Sequence, residues 1–505
     1  MVDMGGSLKA IFTEYKFAFI AFLSLYILRL IMIGFMGLMP QDAYYYYYSE
    51  HLSLSYFDHP PMVAYMLKLF SLVLGKSVLA IKLTDFIITL LSLIAFYRLC
   101  LFFQNKSRAV ITTIVYGSTF MVTILSINTT PDVPLMLFWT LSLIVFFKAI
   151  NEEKTIYWIL SGILMGLTFD SKYTAVFLVV GAILFLILSK KYRHLLFSYR
   201  TLWMLGFFLI AISPILIWNV QNDWISIKYQ STERVGTASN FSFNPKLFLG
   251  TLGTQILILF PILLGAIFNR LYKKGKLFIS KKEIPKITER YLISFSYPLI
   301  IFFFLISFIY WVKLNWIMPG YIAATILVVP FLSRKLINYH MGISVFIHIL
   351  LLVQIVFYPI NLKTDDTWYG WEELAEKVDS IQGVHPDHFI FSNDDYKTTA
   401  VLNFYLDNEI YSGNIIGEKG YQFAVNQVSP NSLNGKSAIF INSENKFSTV
   451  KNLHRKPKEL LMYFEDIEEQ NAIVIRDKKG VVLRKFGIYL CHNYTYRPIA
   501  AIKNK

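Results

Sequence analysis

Cysteine is scarce in this chain: only Cys100 and Cys491 occur among 505 residues. The apolar pattern described below predicts that they lie on opposite sides of a membrane, so they cannot form a disulfide within one chain. No group of cysteines has the spacing of a metal site. The sequence therefore excludes a disulfide scaffold and a cysteine-bound metal centre.

Charged residues are also sparse. They make up 16% of the chain, whereas hydrophobic residues make up 55%, aromatic residues make up 17%, and mean hydropathy is +0.48. This composition is too apolar for a soluble enzyme and is typical of a polytopic membrane protein. The net charge of +15 does not indicate nucleic-acid binding, because Lys and Arg recur between apolar runs instead of forming one basic stripe.

The apolar residues fall into runs, and a run of about 20 helical residues spans roughly 30 Å of hydrocarbon. The pattern predicts about eleven crossings, with the fifth and sixth runs short enough to be a tilted or partly re-entrant pair. The runs are Phe17–Met39, Val78–Phe103, Ala109–Ile127, Val133–Ile150, Ile156–Phe169, Thr174–Ser189, Leu202–Val220, Leu247–Phe268, Tyr291–Trp311, Trp316–Leu332 and Met341–Ile360.

The connections between these runs alternate in charge. One set is rich in Lys and Arg, above all the cluster from Arg270 to Arg290, and the other carries acids with few cations. By the positive-inside rule the first set is cytoplasmic and the second faces outward. The predicted outer acids are Asp42, Asp58, Asp132, Asp170 and Asp223.

The composition becomes that of a soluble domain from Thr364 onward. Strands are predicted at His388–Ser392, Ser437–Asn442 and Ala472–Arg476, helices at Trp371–Ser380 and Tyr396–Leu406, and a hairpin turn at Asp477–Gly480. We therefore predict a helical membrane domain over residues 1–363 and a small mixed α/β domain over residues 364–505. An odd number of crossings from a cytoplasmic N-terminus places this second domain outside.

The first outer loop, Met39–Leu69, has the richest chemistry. Asp42 follows the first apolar run, and Asp58-His59-Pro60-Pro61 comes sixteen residues later. Asp42 could be a general base for an acceptor hydroxyl and His59 could contact a phosphate, or Asp42 could simply cap the next helix. We predict interfacial helices at Ala43–Ser55 and Pro61–Leu74, with the tyrosines of the first at headgroup depth.

The later outer loops add another acid and several cations. Asp132 begins a predicted helix, where it could serve a catalytic pocket or act only as a cap. Four cations are available to an anionic ligand, although a lone lysine could equally anchor a headgroup. They are Lys172, Lys228, Arg234 and Lys313. Together the outer loops predict one mixed-charge chamber that faces outward at the membrane surface.

Several motifs in these loops form a recognisable set. They are Asp42-Ala43-Tyr44-Tyr45, Tyr56-Phe57-Asp58-His59-Pro60-Pro61, Thr130-Pro131-Asp132-Val133-Pro134-Leu135, Ser171-Lys172-Tyr173-Thr174, Trp218-Asn219 and Asn222-Asp223-Trp224. The set resembles the bacterial branch of the protein O-mannosyltransferase and aminoarabinose transferase superfamily, whose members are GT-C fold glycosyltransferases of families 39 and 83. The resemblance extends over roughly residues 15–330.

The resemblance implies an inverting transfer of a sugar from a polyprenyl-phosphate donor on the outer face of the bacterial inner membrane. Asp42 matches the family's first catalytic acid and Asp132 its second aspartate. His59 falls beside the donor phosphate, with Asp58 before it, and Tyr45 is assigned to substrate binding. Many relatives have Glu after the first Asp, whereas this chain has Ala43, and this departure leaves the acceptor open.

The expected partners are the lipid bilayer, the polyprenyl-linked sugar and an acceptor that is a lipid A-like glycolipid, a polysaccharide or a protein. Because no nucleotide diphosphate leaves, the reaction is predicted to need no metal, although some relatives hold a divalent ion near Asp58. The main alternative is a transporter or flippase of lipid-linked sugars, which usually shows internal repeats and charges at the bilayer midplane. A sensor acting through residues 364–505 is a third interpretation.

Overall fold

The computed structural model describes residues 10–233, 242–281, 285–362, 364–427, 430–443, 458–477 and 479–497. Helices dominate. In chain order they are α1 (Lys16–Phe35), α2 (Pro40–Glu50), α3 (Met62–Leu74), α4 (Val78–Cys100), α5 (Lys106–Gly117), α6 (Phe120–Ile127), α7 (Asp132–Glu152), α8 (Thr155–Ser171), α9 (Val176–Leu188), α10 (Tyr199–Gln221), α11 (Ile225–Lys228), α12 (Pro245–Lys281), α13 (Ile287–Ser294), α14 (Tyr297–Ile306), α15 (Met318–Val328), α16 (Arg334–Phe357), α17 (Trp371–Val384), α18 (Lys397–Tyr405) and α19 (Tyr421–Asn426).

The chain divides into two compact units. The first contains Met1–Gly34, His59–Met66 and Lys82–Leu352, and the second contains Phe35–Asp58, Leu67–Ile81 and Val353–Lys505. The second unit thus includes two stretches of the first outer loop as well as the C-terminal region, so the folded units are not simple consecutive segments.

Each of the eleven predicted apolar runs contains helix, but among the described residues fewer than eleven spans are long and apolar enough to cross a bilayer. Within the described residues, seven spans are long and apolar enough to cross a bilayer: α1, α4, α7, α10, the first part of α12 (Pro245–Lys276), α13 with α14 (Ile287–Ile306) and α16. The α5–α6 pair, bent by 63°, would make an eighth. Shorter apolar helices occur at Met62–Leu74, Tyr173–Leu188 and Met318–Phe331. A polytopic helical architecture is therefore confirmed.

Two small residues let helices α8 and α10 pack closely. A Cβ atom on Gly162 would lie 2.2 Å from the backbone oxygen of Met204, and one on Gly166 would lie 2.3 Å from the Cβ of Ala211. These glycines are one turn apart on α8, which is the small-xxx-small pattern of close helix contacts in membranes. A larger side chain at either position would force the two helices apart.

The second unit contains a five-stranded sheet. Its strands are β1 (Phe389–Ser392), β2 (Ile410–Tyr411), β3 (Ala438–Ser443), β4 (Phe464–Arg476) and β5 (Val482–Tyr494), arranged in the order β2-β1-β3-β5-β4. The first three pair in parallel, and β5 is antiparallel to both β3 and β4. The three predicted strands, both predicted helices and the turn at Asp477 are present. The sequence did not predict β2 or β5.

The tyrosines of α2 are buried inside the second unit. Each of Tyr44–Tyr48 is at most 6% exposed. The ring centroid of Tyr44 lies 4.5 Å from that of Tyr396, and that of Tyr47 lies 4.4 Å from that of Phe423. Their rings therefore pack on aromatic side chains of the C-terminal region instead of facing outward, and their position at headgroup depth remains a prediction.

Candidate functional site

Asp132 and Lys172 form a buried ion pair in the first unit. The Nζ atom of Lys172 donates to both carboxylate oxygens of Asp132 at 2.8 Å. Asn315 donates its amide to Oδ2 of the same carboxylate at 2.6 Å. Asp132 is fully buried and Lys172 is 6% exposed. The structure thus joins two of the predicted site residues, Asp132 and Lys172, and adds Asn315, which was not among the predicted site residues.

The ends of three chain segments place these side chains. Asp132 is the first residue of α7 and follows Pro131, whose fixed φ favours a helix start. Lys172 caps the C-terminal end of α8, and its amide donates to the carbonyl of Thr168 at 3.2 Å. Asn315 lies in the connection just before α15. The polar cluster therefore forms where helices terminate and backbone groups still need partners.

The cluster contains one positive and one negative side chain in direct contact. Its buried cation and carboxylate compensate each other, so neither charge is left unpaired in the protein interior. A lysine ammonium has three donors on a flexible stem, which allows it to contact both Asp132 and an incoming phosphate oxygen.

Asp42 lies in the second unit as the third residue of α2. Its Oδ2 atom accepts a hydrogen bond of 2.8 Å from the Met39 amide, so the carboxylate caps the helix that contains it. Asp42 is fully buried. The capping role foreseen for this residue is present, and its role as a base remains a prediction. The convergence of Asp42 and Asp132 in one chamber also remains a prediction.

Asp58 is held by tyrosine hydroxyls of α2. Its Oδ1 atom accepts a hydrogen bond of 3.1 Å from Tyr44 and a shorter one from Tyr48. Burial, followed by the nearby Asp58 carboxylate, raises the pKa of Tyr44 and Tyr48 well above the usual value. Both phenols therefore stay protonated and remain donors. Asp58 thereby fixes the loop before His59 to α2.

These surroundings do not fit the divalent ion that the family resemblance associates with Asp58. Oδ1 of the carboxylate already accepts two phenol protons. Across the part of the chain that the structure describes, no three His, Cys, Asp or Glu side chains are grouped to hold a metal. The metal-independent reaction remains a prediction.

The other predicted site residues have varied settings. Tyr45 is buried and its ring centroid lies 5.6 Å from that of Tyr48. His59 is half-buried beside the paired prolines, whereas Lys228, the last residue of α11, and Lys313 are exposed. Arg234 lies outside the described residues. Their contacts with substrate remain predictions.

Sequence reasoning missed the partners that hold the predicted acids. These partners are the amide of Asn315, which binds Asp132, and the hydroxyls of Tyr44 and Tyr48, which bind Asp58. All three groups are uncharged at neutral pH, so a search for charged residues does not find them. The spacing of Tyr44 and Tyr48 was the available clue, since residues four apart share one face of a helix.

The fold and the polar cluster define a multi-pass helical membrane protein with the GT-C architecture of membrane glycosyltransferases. Residues 58–218 match the model of a family described as dolichyl-phosphate-mannose-protein mannosyltransferase. This segment contains His59, Asp132 and Lys172. Over residues 58–218, the expected resemblance to the protein O-mannosyltransferases is thereby confirmed.

Two solved structures have the same fold. They are ArnT from Cupriavidus metallidurans in the apo state, with a TM-score of 0.59, and the same protein bound to undecaprenyl phosphate, with a TM-score of 0.60. Each is 13% identical to this chain and covers 93% of it, and the match covers 97% of the ArnT chain. No curated protein sequence matches the chain. At this identity the likeness shows the fold, including both the membrane helices and the C-terminal region.

Proposed function

We propose that the protein is an inverting glycosyltransferase that moves a sugar from a polyprenyl-phosphate donor, of the undecaprenyl-phosphate type, to an acceptor hydroxyl or phosphate. The observation that supports this most is the buried Lys172–Asp132 pair within the matched family segment. The ArnT structure bound to undecaprenyl phosphate supports the lipid class of the donor.

In the proposed reaction the acceptor oxygen attacks the anomeric carbon and the bond from that carbon to the phosphate oxygen breaks. Polyprenyl phosphate leaves with the bonding electrons, and the single displacement inverts the anomeric centre. Asp42 takes the acceptor proton. Lys172 stabilises the charge that grows on the leaving phosphate, while Asp132 and Asn315 hold the ammonium in place.

His59, Tyr45, Lys228, Arg234 and Lys313 are assigned to substrate contacts in the same proposal. Acceptors fall in three classes: a lipid A-like glycolipid, a polysaccharide or a protein. The proposed location is the bacterial inner membrane, with the reaction and the C-terminal region on the extracytoplasmic side, as the alternation of cationic connections indicates.

The test uses the purified protein in liposomes with a labelled polyprenyl-phosphate sugar. Wild type should release polyprenyl phosphate, and Asp42→Asn should lower the rate by about 100- to 10,000-fold, since a positioned base contributes that much. Asparagine retains an acceptor oxygen for the Met39 amide, so the helix cap survives.

The matched control is Asp387→Asn, because Asp387 is an exposed acid of the second unit that belongs to none of the motifs or assigned site residues. The control should keep its rate. Full turnover by Asp42→Asn would remove Asp42 as the base. Passage of intact sugar-lipid across the bilayer without cleavage would instead favour the transporter.

A further inference from the structure

A short helix next to Asp132 is held at both ends by buried charged side chains. Helix α6 has eight residues, and it follows a 63° bend after α5. A helix of this length has little stability of its own, so its position depends on tertiary contacts. Four residues separate its last residue, Ile127, from Asp132.

At the bend, Arg29 of α1 satisfies backbone oxygens that the broken helix exposes. Its Nη2 atom donates to the carbonyl of Gly117 at 2.8 Å and to the hydroxyl of Thr123 at 2.8 Å. Ser344 of α16 donates to the carbonyl of Ser118 at 2.6 Å. Arg29 is fully buried. Two other helices thus fix the beginning of α6.

At its far end, two polar residues of helix α4 bind α6, and a third binds the connection that follows it. Lys82 donates to the carbonyl of Ile127 at 2.6 Å, and Thr89 donates to the carbonyl of Leu125 at 3.0 Å. Asp85 accepts a hydrogen bond of 2.6 Å from the hydroxyl of Thr129, in the connection that leads to Asp132.

Burying Lys82 and Asp85 costs free energy, and apolar side chains would be enough for α4 to pack against α6. Both are fully buried, in a helix apolar enough to cross a bilayer. Charged side chains inside a membrane are costly and generally functional. Lys82 binds the carbonyl of Ile127, the last residue of α6, and Asp85 binds Thr129, the second residue beyond that helix. The two contacts therefore define where the chain leaves α6 and where Asp132 can lie.

We propose that Lys82 and Asp85 are positioning residues that set the location of Asp132, and through it of Lys172, for sugar transfer. This inference rests on the proposed function of the Asp132–Lys172 pair. Loss of the contact from Lys82 frees the end of α6, so Asp132 and the ammonium that it holds move away from the leaving phosphate.

The first variant is Lys82→Met, which keeps the apolar stem and removes the donor. We expect kcat for donor cleavage to fall by on the order of 10- to 100-fold, because small misplacements of catalytic groups have effects of this size. A second variant, Lys82→Met with Asp85→Asn, removes both charges together, so that no lone buried charge threatens folding. It should show a similar loss with a retained melting transition.

The matched control is Thr89→Val. It removes a hydrogen bond from the same helix α4 to the carbonyl of Leu125, two residues before the end of α6, and its kcat should stay close to wild type. A drop in kcat equal to that of Lys82→Met would overturn the proposal, since any weakening of the α4–α6 contact would then suffice.

A double-mutant comparison separates positioning from general stability. In an Asp132→Asn background, Lys82→Met should lower kcat by far less than it does in wild type, because the residue that it positions is already impaired. The same fold-loss in both backgrounds would show that Lys82 acts independently of Asp132 and would refute the inference.

A chemical readout keeps this test apart from that of the proposed function. The ammonium of Lys172 is buried against Asp132, so acetylation of Lys172, followed by mass spectrometry, should be slow in wild type and several-fold faster in Lys82→Met. If wild type does not cleave the labelled donor, the proposed function fails. If Lys172 is labelled equally fast in both proteins, the positioning role fails.

Discussion

Asp58 in the second unit and Asp132 in the first are both buried acids of outer-loop motifs, yet they are bound differently. Asp132 is matched by the ammonium of Lys172, whereas Asp58 accepts hydrogen bonds from hydroxyls of Tyr44 and Tyr48. The tyrosines are fixed on a packed helix, so they hold Asp58 in place. The lysine has a flexible stem and a full charge, so it can turn toward an anionic substrate.

The difference teaches that a buried acid must be judged with its partner. From sequence alone, Asp58 and Asp132 are equally good candidates for a site residue, since each lies in a loop between apolar runs. The packing gives them different partners: one carboxylate anchors the first loop to α2, and the other holds a cation, to which the proposed function assigns a role in the reaction. Variants at the partners of each acid test this difference.

Removing the cation from the Asp132 cluster should have the largest effect. We expect Lys172→Met to lower donor cleavage by about 100- to 1000-fold, the usual effect of losing one charge-stabilising group in an active site. The change also leaves the Asp132 carboxylate buried without its cation, so the melting temperature should fall. Initial rates per folded protein separate the two effects.

The control for this variant is Lys190→Met, which changes an exposed lysine in a connection predicted to be cytoplasmic. Its rate should match wild type. If Lys172→Met retained most of its turnover, the two carboxylates would no longer differ in function, and the comparison would collapse.

Removing the tyrosine hydroxyls from Asp58 should mainly affect stability. In the double variant Tyr44→Phe with Tyr48→Phe, the Asp58 carboxylate loses two hydrogen-bond donors. The loss of each donor to a buried charged acceptor lowers the free energy of unfolding by about 1 to 3 kcal/mol. Denaturant unfolding should show a lower free energy of unfolding, while kcat of the folded fraction changes much less than in Lys172→Met.

Tyr46→Phe is the matched control for the tyrosine variant, since it removes a hydroxyl from the same helix without touching Asp58. It should leave stability nearly unchanged. A kcat loss in the Tyr44 and Tyr48 variant as large as that of Lys172→Met would mean that Asp58 belongs to the reaction and not only to the scaffold.

The smallest effect concerns Asp394 in the C-terminal region. Burial raises the pKa of Asp394 to about 6, against the hydrogen bonds from Thr398, which lower it. The folded state binds the proton of the Asp394 carboxyl group more tightly than the unfolded state does. The contribution of protonated Asp394 to stability is therefore fully present below pH 3.8 and is lost as the pH rises to about 6.

Since Asp394 is only half-buried, we expect about 1 to 2 kcal/mol of free energy of unfolding from this group. Unfolding curves of wild type and Asp394→Asn, compared at pH 4 and pH 7, measure it as a difference. Equal slopes with pH for the two proteins would contradict the raised pKa.

Much of the architecture was predictable because its signals are local. Each of the eleven apolar runs contains helix, and three strands of the sheet appeared at alternating or apolar segments before turn residues. Strand β5 was missed because Arg484, Lys485 and His492 interrupt its apolar pattern, and β2 because it has only two residues. The bend between α5 and α6 was missed because Ser118 and Thr119 are acceptable inside a membrane helix.

The candidate site was predictable in residue type but not in pairing. Asp132 and Lys172 were both expected in outer loops, yet nothing local indicated that they touch. Asn315, which completes the cluster, is 183 residues from Asp132. The tyrosines of α2 were placed at the headgroup layer because a ring with a hydroxyl suits both an interface and a buried aromatic cluster.

The sequence alone predicts a helical membrane part, a C-terminal region of different composition and polar loops that resemble those of mannosyltransferases. Hydropathy and motif spacing are properties of neighbouring residues, so no folding is needed to detect them. Only the tertiary structure decided that Lys172 meets Asp132, that Tyr48 binds Asp58 and that Lys82 holds the end of α6. Those contacts join residues 10 to 45 positions apart, and they depend on how whole helices pack.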